Sequence, residues 1–566
     1  MNTNIITNST ITTQPERSAF KKRWERFPLS PGERAGVRAD FFILTLFLFR
    51  FMRASVTHAR VMSSPRLTIS LLTCLAAFTL SSARAEDSPE IRTPAAPHTP
   101  RINGASIFGV RPDHPFLYHL PTTGDRPMEF SADKLPDGLT LDAATGNITG
   151  TLHKKGTYKV VFHAKNSLGT SDKKFKIEVG ETIALTPAMG WNSWNHYASR
   201  ITQDIVLQNA KAMADSGLID HGWSYVNIDD TWQGARGGNF HGLQGNEKFP
   251  DIKGLCDSIH AVGLKFGIYS TPWVTSYAGY PGGSAENPEG TWTKPEGKTV
   301  KNKKILPCAI AQYHFYTNDA DQWGAWGVDY LKYDWNPIEA PETKDMADAL
   351  RNSGRDIIFS LSNNLNPSNA PSVTPLANSW RTTGDIKANW KSMSDRGFGQ
   401  DTWRKYSSPG HWNDPDMLEI ATKEKNQPGL LPDEEYTHMT LWCLVCSPLL
   451  LANDMSQMDD FTKNLLENDE VIAVSQDSLG DQAMEVAHDG DARVYAKKME
   501  DGSKAIGLFN TGTNGTITVT VKWDDINVHG SQNVRDLWRQ KDLGKFKDQF
   551  SLPVAPHSAE LVKISP

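Results

Sequence analysis

The chain has 566 residues, a formal net charge of −6 and five cysteines. At roughly 150 residues per domain this length allows three or four domains. So mild a charge, with no basic run above background, argues against a nucleic-acid partner. Five cysteines in so long a chain leave the fold to a large apolar core rather than to a disulfide framework.

The first segment reads as a processing region. Residues 1 to 61 are basic and include the short apolar run FFILTLFLFRFM. From Met62 the chain reads MSSPRLTISLLTCLAAFTLSSARAED. Arg66 supplies a positive start, Leu67 to Leu80 is apolar but too short to span a bilayer, and Ala83-Arg84-Ala85 is a small-x-small cleavage site. The expectation is an exported, periplasmic or extracellular protein, with a signal peptide cleaved after Ala85. Met62 is then the true start and residues 1 to 61 an over-extended one. A membrane anchor near Phe41 to Met52 is the competing reading. It is too short for a full span, so no stable membrane span is expected. A lipoprotein reading at Cys74 fits poorly, because Thr73 precedes the cysteine.

Residues 86 to 183 are expected to form a small β module. A polar, proline-rich linker comes first. Then YKVVFHAKN and KKFKIEV place apolar residues on one face at period two. Turn signals stand between strands at Pro136-Asp137-Gly138, Ala144-Thr145-Gly146 and Leu168-Gly169. The string LPDGLTLDAATGNITGTL, together with GTYKVVFHAKNSLGTSDKKFKIEV, resembles the immunoglobulin-like modules of bacterial secreted proteins. The resemblance implies a spacer, binding aid or brace.

From about residue 184 to 480, short apolar strands alternate with amphipathic helical stretches, the pattern of parallel β/α units. Eight strand candidates appear: AMGWNSW, YVNIDDTW, KFGIYS, YLKYDWN, IIFSLSN, SWRTTGD, HWNDPDM and PLLLAND. Helical patterns such as DIVLQNAKAMADSG and DIKGLCDSIHAVG end near a glycine, as a C-cap does. Eight such units predict a closed (β/α)8 TIM barrel, whose functional residues gather at the C-terminal ends of the strands. Polar residues do collect there: Trp194, Asp229, Asp230, Tyr269, Asp334, Ser362, Arg381, Asp385, Asp414 and Asp416. Residues 481 to 566 return to short strands (RVYAKKM, KAIGLFN, TITVTVKW, SAELVKI) and predict a C-terminal antiparallel β-sandwich packed on the barrel. Cys443 and Cys446 have redox or metal spacing. They lie in the apolar run LWCLVCSPLL without a second pair or a histidine at ligand spacing, and read as buried small residues on a helix.

Paired carboxylates are the chemistry-bearing feature. Cleaving a glycosidic bond takes two, one to attack or activate water and one to protonate the leaving oxygen. Lone strand-end aspartates more often cap helices. Lys332 stands two residues before Asp334, on the same side of an extended strand, where an ammonium would keep the carboxylate ionised as a nucleophile requires. Asp385 follows Arg381 by four residues, and negative potential from Asp334 would favour its protonated form. The tandem Asp229-Asp230 suits bidentate binding of two sugar hydroxyls. Asp414 and Asp416 read equally as site residues or as braces of the loop after strand seven. Seventeen tryptophans are many. Burial accounts for most of them, and sugar-stacking faces are the other use.

The strings MGWNSW, NIDDTW, GLKFGIYS, WGVDYLKYD, NSWRTTGDI, GHWNDPDML, SPLLLANDM and VIAVSQDSLGDQA, in this order, resemble glycoside hydrolase family 27, the α-galactosidase and α-N-acetylgalactosaminidase family. The resemblance spans about 300 residues. It implies a retaining double displacement without a metal or other cofactor, on a galactose-containing oligo- or polysaccharide. It makes Asp334 the nucleophile, Asp385 the acid/base, and Trp194, Asp229, Asp230, Tyr269, Lys332, Ser362, Arg381 and Asp416 sugar-binding positions. Two departures stand out. Trp335 and Asn336 follow the nucleophile position where relatives carry a cysteine bridged to the loop after strand three. That loop, YAGYPGG, also lacks the cysteine and is enlarged by an insertion near Ala285 to Gln312. A rim built with Trp273 or Trp335 is therefore expected. Ser362 stands where α-galactosidases place a glutamate. Relatives acting on N-acetylgalactosamine carry serine there, but with an alanine where this chain has Leu365. α-N-acetylgalactosaminidase and β-L-arabinopyranosidase are thus the neighbouring activities. A non-catalytic sugar-binding barrel and a metalloenzyme using Asp414 and Asp416 are the readings from other classes.

Overall fold

The structure, a computed structural model, describes residues 89–293, 309–422 and 428–566. The expected signal peptide, Cys74, the apolar run near Phe41 to Met52, Cys308 and part of the insertion after strand three lie outside these residues. Among the described residues no helix is long and apolar enough to cross a membrane.

Eight parallel strands form the central sheet, each built from one of the predicted strings. They are β1 (Met189–Asn192), β2 (Tyr225–Asn227), β3 (Lys265–Ser270), β4 (Tyr330–Asp334), β5 (Ile358–Ser362), β6 (Ser379–Arg381), β7 (Trp412–Asp414) and β8 (Leu449–Leu451). Neighbours pair in chain order, and β8 pairs with β1 through Met189 and Leu449. A parallel bridge from Leu418 to Leu451 closes the ring. Gly190 and Gly267 permit close packing inside it. A Cβ at Gly190 would lie 2.1 Å from the Tyr225 carbonyl oxygen, and one at Gly267 2.1 Å from Asn227 Oδ1.

The helices that follow the strands are α1 (Gln203–Asp215), α2 (Ile252–Ala261), α3 (Tyr316–Trp326), α4 (Ala340–Asn352), α5 (Ala370–Val373), α6 (Trp390–Gly397), α7 (Pro432–Leu444) and α8 (Asp460–Leu466). Local chemistry sets their ends. Thr202 caps α1 by accepting from Ile205 N, and Asp251 caps α2 by accepting from Gly254 N. Left-handed Gly217, Gly263 and Gly327 lie just past α1, α2 and α3, as the glycine signals predicted. α1 buries Val206, Ala210 and Met213 at helical spacing against the sheet. Ten tryptophans, among them Trp191, Trp232, Trp380 and Trp412, are under 2% exposed, so core packing takes most of the excess. α7 is buried on every side, between the barrel and the C-terminal strands. Cys443 lies on it, whereas Cys446 falls beyond its end with a left-handed backbone (φ 55°) and accepts from Lys497 Nζ at 3.0 Å.

Before the barrel, a four-stranded and a three-stranded sheet enclose a core of Phe116, Phe130, Ile148, Phe162, Phe175 and Ile177. This immunoglobulin-like module meets the barrel at the N-terminal ends of its strands. Asp356, just before β5, accepts from Arg111 N (2.8 Å) and Arg111 Nη1 (3.0 Å) and pairs with His114 Nδ1 (2.9 Å). Asp220, before β2, accepts from Arg126 Nη2 at 2.7 Å. Lys265, at the start of β3, places Nζ 4.4 Å from the Phe108 ring centroid. After the barrel, a six-stranded antiparallel sheet and a two-stranded one share a core of Ile506, Val519, Val521, Phe550 and Val562.

Candidate active site

The C-terminal ends of the strands bring most of the predicted polar residues together. Asp334, the last residue of β4, is 8% exposed. Tyr269 of β3 donates its hydroxyl to Asp334 Oδ2 at 2.9 Å. Asn363 Nδ2 donates to Asp334 Oδ1. Burial pushes the Asp334 carboxyl up to about 7, against the pull of the Lys332 ammonium and the Tyr269 hydrogen bond and helped by the nearby charges of Asp229 and Asp385. The sequence led us to expect that Lys332 would keep Asp334 ionised. Its attraction is present, but desolvation outweighs it.

Lys332 is shared. Its Nζ donates to Asp229 Oδ2 at 2.7 Å. Burial disfavours the ammonium, but Asp229 and then Asp334 more than compensate, and its pKa is raised. Tyr269 is driven well above its ordinary value by burial and by the surrounding carboxylates, so it remains a donor.

The tandem acids leave the strand geometry that would point them apart. β2 ends at Asn227, and Thr231 takes a left-handed backbone (φ 89°), costly for a β-branched residue. Both carboxylates are buried with different partners. Asp229 faces Lys332. Asp230 Oδ1 accepts from Thr231 N (2.7 Å) and Gln233 Nε2 (3.1 Å), and Oδ2 accepts from Ala278 N (2.8 Å) in the loop after β3. Burial still raises Asp230 to about 6. Trp194 follows β1, half-buried, its N–H held by Asn192 Oδ1 at 2.9 Å.

Asp385 stands on the loop after β6 with its side chain 88% exposed and Oδ1 3.3 Å from Arg381 Nη2. The same Arg381 nitrogen lies closer, 2.8 Å, to Asp416 Oδ2, and both of those side chains are buried. Asp416 also accepts from Ile386 N (2.8 Å) and Met417 N (2.9 Å) with its backbone left-handed at φ 101°. It therefore braces the loop that carries Asp385, after strand six rather than strand seven. Asp414 accepts from Asp416 N at 2.8 Å, and burial raises it to about 6. Arg396 of α6 donates Nε to Gly384 O at 2.9 Å and Nη2 to Asp385 O, fixing the backbone beneath Asp385. Sequence reading had no handle on Arg396, which lies on a helix with no motif of its own.

Ser362 pairs in register with Asp334 and is buried. Asn363, one residue on, makes the contact to the Asp334 carboxylate, because its left-handed backbone (φ 74°) turns it into the pocket. Its type was the available signal, since asparagine tolerates that conformation. The rim differs from expectation as well. Trp335 is 1% exposed and packs on Tyr333 inside the core. Trp273 is buried and meets Tyr277 edge-on at 5.0 Å. Tyr277 is the residue at the pocket.

Comparison with known proteins establishes the family. The family model described as Alpha galactosidase A matches residues 186–292 and 301–477. Alpha-galactosidase 2 of Arabidopsis thaliana is 37% identical over 391 residues, 68% of this chain and 90% of that protein. The chain belongs to the alpha-galactosidase family, glycoside hydrolase family 27. It is a glycoside hydrolase. The alpha-galactosidase C-terminal beta sandwich model matches residues 489–564, and an Ig domain model matches 99–180. A crystal structure from Bacteroides fragilis superposes with a TM-score of 0.74 at 33% identity, covering 83% of this chain and 98% of that one. A β-L-arabinopyranosidase of the family from Geobacillus stearothermophilus superposes at 0.56 with 30% identity, covering 68% and 97%.

Proposed function

We propose that this enzyme removes terminal, non-reducing α-D-galactosyl residues from oligo- or polysaccharides with retention of configuration. The observation that carries this reading is the pairing of two unlike carboxylates, near enough for the charge of Asp385 to act on Asp334. Asp334 is buried and held by Tyr269 and Asn363, while Asp385 is solvated on the loop after β6, beside Arg381. In its ionised form Asp334 attacks the anomeric carbon as the C–O bond to the leaving group breaks. Asp385 gives its proton to the departing oxygen. The resulting aspartyl glycosyl-enzyme is then attacked by water, whose proton returns to Asp385 while Asp334 leaves. Lys332, Tyr269 and Asn363 stabilise the negative charge on Asp334 before attack and after release.

Asp229 and Asp230 supply acceptors for sugar hydroxyls, and Trp194 an apolar ring face. Asp229 has spare lone pairs beyond Asp230 N and Lys332 Nζ, whereas Asp230 already serves Thr231, Gln233, Ala278 and Ser276 and must exchange one of these donors for a sugar hydroxyl. The alpha-galactosidase relatives support galactose as the sugar. The arabinopyranosidase relative keeps the sugar lacking the hydroxymethyl group as the second reading. The small Ser362 points toward a 2-acetamido sugar, but Leu365 stands where relatives acting on that sugar carry alanine. The leader ending at Ala85 supports export to the periplasm or medium. The test is a parallel assay of nitrophenyl α-galactoside, α-N-acetylgalactosaminide and β-L-arabinopyranoside. Preference for the first is expected, and inactivity on all three would overturn the assignment.

A further inference from the structure

The immunoglobulin-like module and the N-terminal end of the barrel enclose a cavity of about 120 Å³, at the opposite end of the strands from Asp334. The module supplies Phe108 and Tyr118, and the barrel Leu185, Tyr225, Lys265 and Ile358. Apolar walls with a few polar groups, set at a domain junction, are the usual make-up of a small-molecule site. The charges around it are unequally satisfied. Asp329 accepts from Arg355 Nη2 (2.6 Å), His260 Nε2 (2.7 Å) and Phe266 N (2.9 Å), and Asp356 serves Arg111 and His114. Among the described residues Lys265 Nζ meets only the Tyr225 hydroxyl, at 3.5 Å, and the rings of Phe108 and Tyr225, with centroids 4.4 and 5.2 Å away. An ammonium has three N–H groups, so at least two lack an acceptor. Burial pulls Lys265 down to about 8, against the attraction of Asp329 and Asp356 and with the repulsion of Arg355. The Tyr118 and Tyr225 phenols are both raised, chiefly by burial, and stay donors. Acids already paired beside donors left over select for an anion.

We propose that this cavity is a second binding site, separate from the glycosidase site, for a short-chain monocarboxylate. The carboxylate takes the free N–H groups of Lys265, with the Tyr225 hydroxyl as a further donor. The chain of the acid lies against Phe108, Leu185 and Ile358. Size sets the class. A cavity of roughly 150 Å³ holds benzene, so about 120 Å³ admits an acid of about four carbons and excludes a monosaccharide. One unpaired cation beside two paired acids also selects against a dianion such as phosphate, whose desolvation costs more. The ligand touches module and barrel at once, so occupancy stabilises their junction by mass action. The site stands whether or not the sugar is galactose.

The experiment titrates the whole protein with sodium butyrate by calorimetry, with butyramide as the uncharged isostere and inorganic phosphate as the dianion. Butyrate is expected to bind once per chain with a Kd of about 0.1 to 1 mM, and butyramide at least about 10-fold more weakly. Lys265→Met keeps the apolar stem and should weaken butyrate by at least about 10-fold. In wild type the affinity should fall about 10-fold per pH unit above about pH 8, as the ammonium is lost. The groups facing Lys265 leave that fall to the lysine. Despite burial, Arg355 and His260 hold Asp329 at about 2, the two phenols are raised, Asp356 and His114 pair with each other, and His119 is engaged by Asn147 and Asp220. Equal binding of butyramide, or undiminished butyrate binding by Lys265→Met, overturns the site. If that variant does not fold, the wild-type pH profile decides, and an affinity unchanged between pH 8 and about 9.5 sinks the proposal. Tighter binding of phosphate than of butyrate overturns the ligand class, and no saturable binding up to about 20 mM butyrate overturns the whole.

Discussion

Lys332 and Asp334 share one face of β4, yet the Lys332 ammonium makes its 2.7 Å hydrogen bond to Asp229 on the neighbouring side of the pocket. The nucleophile candidate is left with neutral donors from Tyr269 and Asn363 and with the more distant field of the lysine. The result is a buried carboxyl poised near neutrality instead of one held far below it.

That poise has a stability signature. The folded-state pKa of Asp334, about 7, lies above its ordinary 3.8. The stability contributed by its protonated form is therefore complete below about pH 4 and lost as pH rises through 7. Asp334→Asn, which cannot ionise, should match wild type near pH 4 and exceed it at pH 8, by up to about 4 kcal/mol. Urea denaturation at the two pH values measures this. The same variant should lose glycosidase activity by at least about 1,000-fold.

Lys332→Met removes the only countercharge that Asp229 is seen to touch among the described residues. Stranding that buried carboxylate should cost about 3 kcal/mol or more. The acid limb of kcat/KM should move upward, because Asp334 loses the field that lowers it. A pH–rate profile on purified variant checks the direction.

Asp416→Ala leaves Arg381 without its 2.8 Å partner and Ile386 N without an acceptor. The loop carrying Asp385 should loosen. kcat/KM is expected to fall about 100-fold, and sharply for substrates with poor leaving groups, which depend most on protonation. Comparing aryl galactosides of different leaving-group acidity separates this from general damage.

Asp385→Ala should retain slow turnover of nitrophenyl α-galactoside, whose leaving group needs little protonation. Added azide should accelerate release of the glycosyl-enzyme. Proton NMR of wild-type turnover should show the α-anomer of the sugar first. Initial appearance of the β-anomer would contradict retention.

Asp356→Ala tests the immunoglobulin-like module as a brace under the barrel. It removes the acceptor for Arg111 N, Arg111 Nη1 and His114 Nδ1. A loss of about 1 to 3 kcal/mol in stability and faster proteolysis between module and barrel are expected. Because Asp356 lies at the opposite end of the strands from Asp334, kcat should be unchanged.

The eight barrel strands and the acids at their ends were legible in the chain. Apolar runs that turn acidic at their last residues are a local pattern, as are Thr202, Asp251 and the glycines that bound the helices. The C-terminal sandwich was legible only in part. Strands such as Met484–Asp489 and Lys541–Lys547 alternate weakly and are largely exposed, so period two does not stand out. Asn363 and Tyr277 were not legible, because neither carries a motif of its own and their meeting depends on two loops far apart in the chain. Ser362 and Trp273 are the conspicuous residues nearby, but Asn363 is the one that donates to Asp334.

Residue order along the chain settled which acids reach the C-terminal rim, because strand length and alternation are properties of neighbours in sequence. Only the folded barrel decided how those acids are shared. Lys332 and Asp229 are 103 residues apart, and Asn363 and Tyr277 are 86. Ring closure sets those distances, and the sign of φ at Thr231, Asn363 and Asp416 sets the side-chain directions. Burial then fixes the balance between desolvation and ion pairing at Asp334, a quantity that no local pattern contains.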